Sequence, residues 1–164
     1  YGTESTGKTT LTQKLADYFH TSWVPEMARD IIEGTESCTE EHLQQIAVLH
    51  AATINEKIKT ANKLLFIDTD LNITRGYSQY LFGKDLMVPQ WIEQANQFDL
   101  YLFLEADAPF VQDGTRLEMP ERNKLEAFHR AELVKRGIDY QVIKGNWEER
   151  FARAVKMVKM KFEE

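Results

Sequence analysis

Short apolar runs alternate with stretches of helical periodicity, and no hairpin turn joins two of the runs, which predicts a three-layer α/β sandwich on a parallel sheet. A glycine-rich turn at the front of the chain runs straight into an amphipathic helix, an arrangement that needs a parallel strand to hang from. Composition agrees: 43% hydrophobic and 28% charged residues over 164 positions suit one ordinary globular domain, residues 1–164, with a core about two layers deep. The chain opens on the turn itself, so the strand that carries it is expected to lie outside this sequence, leaving the sheet without its first strand.

After the turn, Leu11, Leu15, Tyr18 and Phe19 recur at helical spacing and predict a helix over 8–19. Trp23 and Val24 make a short strand stopped by Pro25, and a short helix over 27–33 ends at Gly34. Ser37 and Glu40 form a capping-box pattern ahead of a long helix over 40–61, with Leu43, Ile46, Ala47, His50 and Ile54 on one stripe. Leu64 to Ile67 is a continuous apolar run ending in Asp68, as in a strand covered on both faces. Helices are predicted over 72–81 and 89–96, and a second buried strand over 100–104. The stretch 107–119 is irregular; Pro120 then starts a helix that runs to Arg136 and is closed by Gly137. A last strand over 140–143 and a last helix over 147–162 complete the pattern, with no repeat or linker.

Net charge is −6, so the broad basic footprint of a nucleic-acid binder is not evident, and any anion has to be bound locally. Cys38 is the sole cysteine, which leaves no internal disulfide and no cysteine cluster for zinc, and fits a reducing cytoplasm. No apolar run reaches the roughly 18 residues of a membrane span, and no charged-then-apolar signal segment opens the chain.

Gly2-Thr3-Glu4-Ser5-Thr6-Gly7-Lys8-Thr9 matches the phosphate-loop pattern G-x-x-x-x-G-K-[ST] in full, with Thr10 next to it. The glycines let backbone N–H groups converge on phosphate oxygens of ATP or GTP, and the positive end of the following helix adds to their field. Lys8 is placed to reach the β- and γ-phosphates, and the Thr9 hydroxyl to ligate magnesium. The fold class is therefore that of the P-loop nucleoside triphosphate hydrolases and kinases.

Ligands of open α/β sheets bind beyond the carboxyl ends of the strands. Asp68 ends the most apolar strand, where a carboxylate holds a magnesium–nucleotide complex directly or through water, or else caps the next helix. Asp70 is either that cap, in competition with Asn72, or a substrate-side group. Glu26 ends the other early strand with Arg29 three residues on, so the two share a helix face and either pair at the surface or grip a hydroxylated substrate. As a base, Glu26 accepts a hydroxyl proton while aiming the oxygen at the γ-phosphate. Arg116, in Asp113-Gly114-Thr115-Arg116, and Arg122 lie where a lid over the nucleotide would be, or are solvated charges beside a turn. Gly145-Asn146 is either a floor for a purine ring or a helix cap. Tyr77, Tyr80 and Trp91 are core residues or stacking surfaces, and Cys38 and the four histidines show no ligand or triad spacing.

Taken together, Gly2 to Thr10, the segment from Val24 through Glu26 to Arg29, Phe66 to Asp70, and Asp113 to Arg116 resemble the ribosylnicotinamide kinase domain of the NadR family, an AAA-like P-loop kinase domain. The resemblance spans nearly the whole chain. It implies ATP- and magnesium-dependent phosphorylation of the 5′-hydroxyl of nicotinamide riboside, with Lys8 and Thr9 on nucleotide and metal, Asp68 as the strand-end carboxylate, Glu26 and Arg29 facing the substrate and Arg116 in the lid. Pro25-Glu26 followed by Arg29 also looks like the substrate-side motif of deoxynucleoside kinases, in which that glutamate is the base. The family's aromatic residue before this glutamate is Pro25 here, and its usual tyrosine after it is Met27. The adenylyltransferase and DNA-binding regions of full-length NadR proteins have no counterpart in these residues. The other readings are a kinase for a different nucleoside or metabolite, and a nucleotide-dependent regulatory module.

Overall fold

The computed structural model describes residues 1–107 and 119–163, so the lid expectation for Asp113 to Arg116 lies outside the described residues. Element order is α1 (Lys8–Tyr18), β1 (Trp23–Val24), α2 (Ala28–Ile31), α3 (Glu40–Lys57), β2 (Phe66–Ile67), α4 (Leu71–Phe82), α5 (Gln90–Ala95), β3 (Leu102–Leu104), α6 (Met119–Lys135), β4 (Gln141–Ile143) and α7 (Trp147–Phe162). Every predicted helix and strand is present, with ends that move by a few residues.

The strands pair in parallel as β1 with β2 and β3 with β4. Tyr1 lengthens the second ladder: its amine donates to the Leu102 carbonyl at 2.9 Å, and the Leu104 N–H donates to the Tyr1 carbonyl at 2.7 Å. Between β2 and β3 lies an apolar groove of about 500 Å³, walled by Leu11, Leu15, Phe66, Ile67, Leu102 and Leu104.

Side-chain alternation along the strands sorts the core into two layers. Phe66, Leu102, Leu104 and Ile143 pack with Leu11 and Leu15 of α1 and Ala154 of α7. On the opposite face, Val24 and Ile67 meet Ile54 of α3, and Phe103 meets Leu133 of α6. The α3, α4 and α5 helices share a further cluster around Leu43, Ile46, Leu71 and Ile92. Among the described residues no helix is long and apolar enough to cross a membrane.

One cap differs from the sequence reading. Thr39, not Ser37, caps α3: its Oγ1 accepts from the His42 N–H while His42 Nδ1 accepts from the Thr39 N–H. Ser37 instead closes a single tight turn, Thr35–Ser37. Asn146 caps α7 in a reciprocal box with Glu149, the helix-cap alternative of the sequence reading.

Arg150, on α7 and 1% exposed, ties three segments together. Its guanidinium donates to the carbonyls of Thr6 at 2.9 Å, Glu105 at 2.9 Å and Gly145 at 2.8 Å, and pairs with the Asp107 carboxylate. These are the phosphate loop and the residues just past β3 and β4. Removing the guanidinium leaves buried carbonyls without a donor and Asp107 without its counter-ion.

Two stability outcomes follow from this packing. Arg150→Met is expected to cost about 3–5 kcal/mol and to lower Tm by roughly 10 °C or more in thermal unfolding. Gly76 lies on α4 where a Cβ would sit 2.2 Å from Nδ1 of the fully buried His129 on α6, so Gly76→Ala is expected to destabilise by about 1–3 kcal/mol in a urea titration. A neutral result for either variant would show that its site relaxes without cost.

Candidate active site

The phosphate loop is held in a conformation that its glycines alone permit. Gly2 has φ 144°, and a Cβ there would stand 2.6 Å from the Leu104 carbonyl oxygen. Gly7 has φ 81°, and a Cβ there would strike the Trp147 ring at 2.3 Å. Across the loop, the Thr6 hydroxyl donates to the Thr3 carbonyl at 2.9 Å and Lys8 Nζ donates to the same carbonyl at 2.7 Å. Thr3 itself is buried, so it shapes the loop from behind. No side chain caps α1 and its first turn carries no acidic residue, so the N–H groups that begin this helix are left for an anion.

A cavity of about 450 Å³ opens over the loop. Gly2, Glu4, Ser5, Thr6, Gly7, Lys8, Thr9 and Thr10 line one side. Glu26, Arg29, Thr35 and Cys38 line another, with Ile32, Leu43, Ile46, Ile73 and Tyr77 as the apolar wall. One cavity therefore joins a phosphate cradle to a half-apolar chamber with a carboxylate and a guanidinium in it.

Asp68 stands behind Thr9, whose hydroxyl donates to Asp68 Oδ2 at 2.5 Å. The aspartate is 1% exposed and its Oδ1 has no hydrogen-bond partner among the described residues. A hydroxyl and a buried carboxylate with an unused oxygen are hard oxygen donors, the set that suits a magnesium ion shared with phosphates. No cluster of three or more acidic, histidine or cysteine side chains adds to them among the described residues, so phosphate and water oxygens would have to complete the shell.

Glu26 is positioned by the end of β1 at Val24 and by Pro25, which stops the strand. Burial pushes its carboxyl above the usual range; Lys8 pulls it back and Asp68 pushes it further up. Arg29 lies on α2, exposed and facing the same cavity, and no ion pair joins it to Glu26 among the described residues. A carboxylate set in this way holds its proton more readily than an exposed one and takes a hydroxyl proton at lower cost.

Two of the sequence-predicted residues are placed off the cavity wall. Asp70 does not line the cavity: 4% exposed, it accepts from the Ile73 N–H at 2.9 Å, Asn72 Nδ2 at 2.9 Å and the Tyr101 hydroxyl at 3.0 Å, which makes it the cap of α4. Arg122 is buried on α6, donates to the Ala106 carbonyl at 3.5 Å, and is also absent from the cavity wall. Conversely, Thr35, His129 and Trp147 face the cavity without any signal in the sequence, because the chain brings them there from an irregular turn, the middle of α6 and the first residue of α7. Tyr77, weighed as core or stacking surface, lines the cavity and packs edge-on against His129 at 5.3 Å between ring centres.

This geometry has relatives. The chain is 33% identical over 166 residues to the trifunctional NAD biosynthesis/regulator protein NadR of Salmonella typhimurium, covering 96% of this chain and 40% of that protein. It is 32% identical, with the same coverage, to the NadR of Escherichia coli. The chain thus spans less than half the length of these two relatives. In fold it superposes on crystal structures of NadR in complex with NAD and AMP-PNP (TM-score 0.76, 19% identity) and in complex with NR (TM-score 0.77, 20% identity), covering 98% of this chain and about half of those. It also shares the fold of the deoxyadenosine kinase from M. mycoides with bound dCTP, with TM-score 0.65, 8% identity, and coverage of 98% of this chain and 97% of that one. The resemblance to NadR drawn from the motifs is met in both sequence and fold. Residues 1–150 match the family model described as an AAA domain, and the chain belongs to that family.

Proposed function

We propose that the chain transfers the γ-phosphoryl group of ATP to the 5′-hydroxyl of a nucleoside, with nicotinamide riboside the leading acceptor and nicotinamide mononucleotide the product. The observation that carries this reading is the single cavity in which a phosphate loop and Glu26 face the same space. A nucleotide switch needs the loop but has no use for a half-buried carboxylate beside an apolar chamber. The NadR structures with NR and with AMP-PNP support both the acceptor and the donor. The reaction is proposed for a single domain acting in the cytoplasm on small molecules, in keeping with a net charge of −6 and one cysteine.

In this mechanism the loop amides and the start of α1 hold the phosphates, and Lys8 turns from the Thr3 carbonyl to the β- and γ-oxygens. Thr9 and Asp68 would hold a magnesium ion, which supplies neutralisation of phosphate charge when bound. Glu26 accepts the proton of the acceptor hydroxyl as its oxygen bonds to the γ-phosphorus; the bond from that phosphorus to the β–γ bridging oxygen breaks and ADP leaves. Arg29 steadies the acceptor from the rim, and Arg116 is proposed as the lid cation. A second reading, a kinase for another nucleoside, is favoured by Pro25 and Met27 standing where NadR proteins have aromatic residues, which leaves less surface for stacking a pyridine ring.

Three outcomes are expected. ADP release in a coupled assay is accelerated by nicotinamide riboside; stimulation by a different nucleoside selects the second reading, and stimulation by none removes the kinase reading. Lys8→Ala lowers kcat/KM by roughly a hundredfold or more while circular dichroism stays that of the parent. Glu26→Gln lowers kcat by roughly a hundredfold. Because the base acts deprotonated and its pKa lies above the ordinary carboxylate range, parent activity falls on the acid side at a higher pH than an exposed glutamate gives, and this limb is absent in Glu26→Gln. A change confined to KM makes Glu26 a binding group instead.

A further inference from the structure

Thr69 has φ 67°, in the left-handed region that a β-branched residue adopts only under strain. The turn is imposed from both sides. Asp68 is fixed by its N–H, which donates to the Val24 carbonyl at 2.8 Å, and by the Thr9 hydroxyl on its carboxylate. Asp70 is fixed by the donors that make it the cap of α4. Between these two anchored aspartates the backbone passes through positive φ, and glycine would do so with no steric conflict. A threonine held there against its preference is explained by what its side chain does, since strain of this kind gathers where surrounding structure imposes it for function.

Thr69 lines the cavity over the phosphate loop, where that cavity meets the apolar groove between β2 and β3. Three other hydroxyls line the cavity from the walls outside the loop, and each is already given to a protein acceptor. Thr35 and Tyr77 donate to Glu4, and Thr74 donates to the Asp70 carbonyl at 3.4 Å. Among the described residues, no hydrogen bond takes up the Thr69 hydroxyl. The groove, walled by leucines, Phe66 and Ile67, has little use for a hydroxyl, whereas the phosphate side does.

Resting on the kinase reading above, we propose that Thr69 is a catalytic residue whose hydroxyl donates a hydrogen bond to the phosphoryl group in transfer. That group leaves the amides and Lys8 of the loop and moves towards the acceptor side, where the cavity presents the carboxylates of Glu26 and Glu4. Its charge is spread over three equatorial oxygens at that moment, so it needs a donor on this side as well. A neutral hydroxyl supplies one without the effect of a cation, which would pull the Glu26 carboxyl down and weaken it as a base. The anchored turn holds the hydroxyl in place beforehand, so no reorganisation is needed as the charge arrives. Thr69 keeps its proton throughout; the acceptor's proton still goes to Glu26.

The test compares the parent with Thr69→Gly, Thr69→Val and Thr69→Ser. Kinetics use ATP with nicotinamide riboside or, where that is not turned over, a panel of ribonucleosides and deoxyribonucleosides, alongside thermal unfolding and calorimetric binding of AMP-PNP. Thr69→Gly is expected to lower kcat by roughly tenfold to a hundredfold. Its Tm is expected at or above the parent's, because glycine relieves the turn. Thr69→Val keeps the branched shape without the hydroxyl and is expected to lose as much kcat. Thr69→Ser keeps the hydroxyl and is expected to retain most of it. KM for both substrates and the affinity for AMP-PNP are expected to stay within about threefold in all three. An unchanged kcat in Thr69→Gly overturns the proposal, as does a loss in Thr69→Ser as deep as that in Thr69→Val. A fall in kcat joined to a lower Tm in Thr69→Gly also overturns it, by making Thr69 a structural part of the turn. A change confined to KM for the nucleoside does so too, by moving the hydroxyl to acceptor binding. A parent that phosphorylates no nucleoside refutes the kinase reading and this proposal with it, and the parent's own rate tells that outcome from the others.

Discussion

The site depends first on where the Arg150 guanidinium is placed. A phosphate loop is a strained piece of backbone, with two glycines in the left-handed half of φ space and Ser5 there as well at φ 57°, and such a loop keeps its shape only if something outside it holds its carbonyls. Arg150 does this from α7, giving its planar fork of donors to Thr6 and to the segments that follow β3 and β4. A lysine has one charged nitrogen and no fork, so it could not reach all of these carbonyls in their present positions. The electrostatic cost of burying the cation is met by Asp107 and by the face of Trp147, 5.4 Å from the guanidinium carbon. The same indole closes over Gly7, so one helix end supports both the conformation of the loop and its steric need for glycine.

Around that support, the acidic side chains divide by what surrounds them. Asp68 is kept beside Thr9 with one oxygen unused, Asp70 is spent on a helix cap, and Glu26 and Glu4 face the acceptor chamber. Four carboxylates within a short reach of a triphosphate site would repel it if all were aimed at it. The fold limits this by giving three of them donors of their own: the Thr9 hydroxyl to Asp68, the Ile73 N–H with Asn72 and Tyr101 to Asp70, and Tyr77 with Thr35 to Glu4. Lys8 offsets the remainder from the centre of the loop.

Much of this architecture was legible in the sequence, and the parts that were not share a cause. The loop from Gly2 to Thr9 could be read because its chemistry is local: spacing alone determines which amides converge. The strands could be read because Leu64 to Ile67 and the run 100–104 are apolar throughout, as burial on both faces demands. Glu26 could be placed in the cavity since it lies just past the end of a strand, after Pro25. Asp70 could not be settled, because Asp68 and Asp70 both lie between β2 and α4, and only the bonds from the Ile73 N–H, Asn72 and the Tyr101 hydroxyl just ahead of β3 fix Asp70 as the cap. Arg150 gave no signal, since an arginine on an amphipathic helix near a run of charged residues reads as solvated. Thr35 and His129 gave none either, because their roles arise from contacts with residues far along the chain.

The fit of His129 against Gly76 has a consequence for descent. The imidazole fills the space that the missing side chain leaves, and the two residues lie on different helices more than fifty positions apart. A lineage can place a methyl group at position 76 only if position 129 first gives way to something smaller, while shrinking position 129 alone opens a void against Tyr1 and Tyr77. Neither change is easy without the other, so the two sites are bound in one epistatic pair. Their substitutions should travel together through related sequences even though neither residue is part of the phosphate loop.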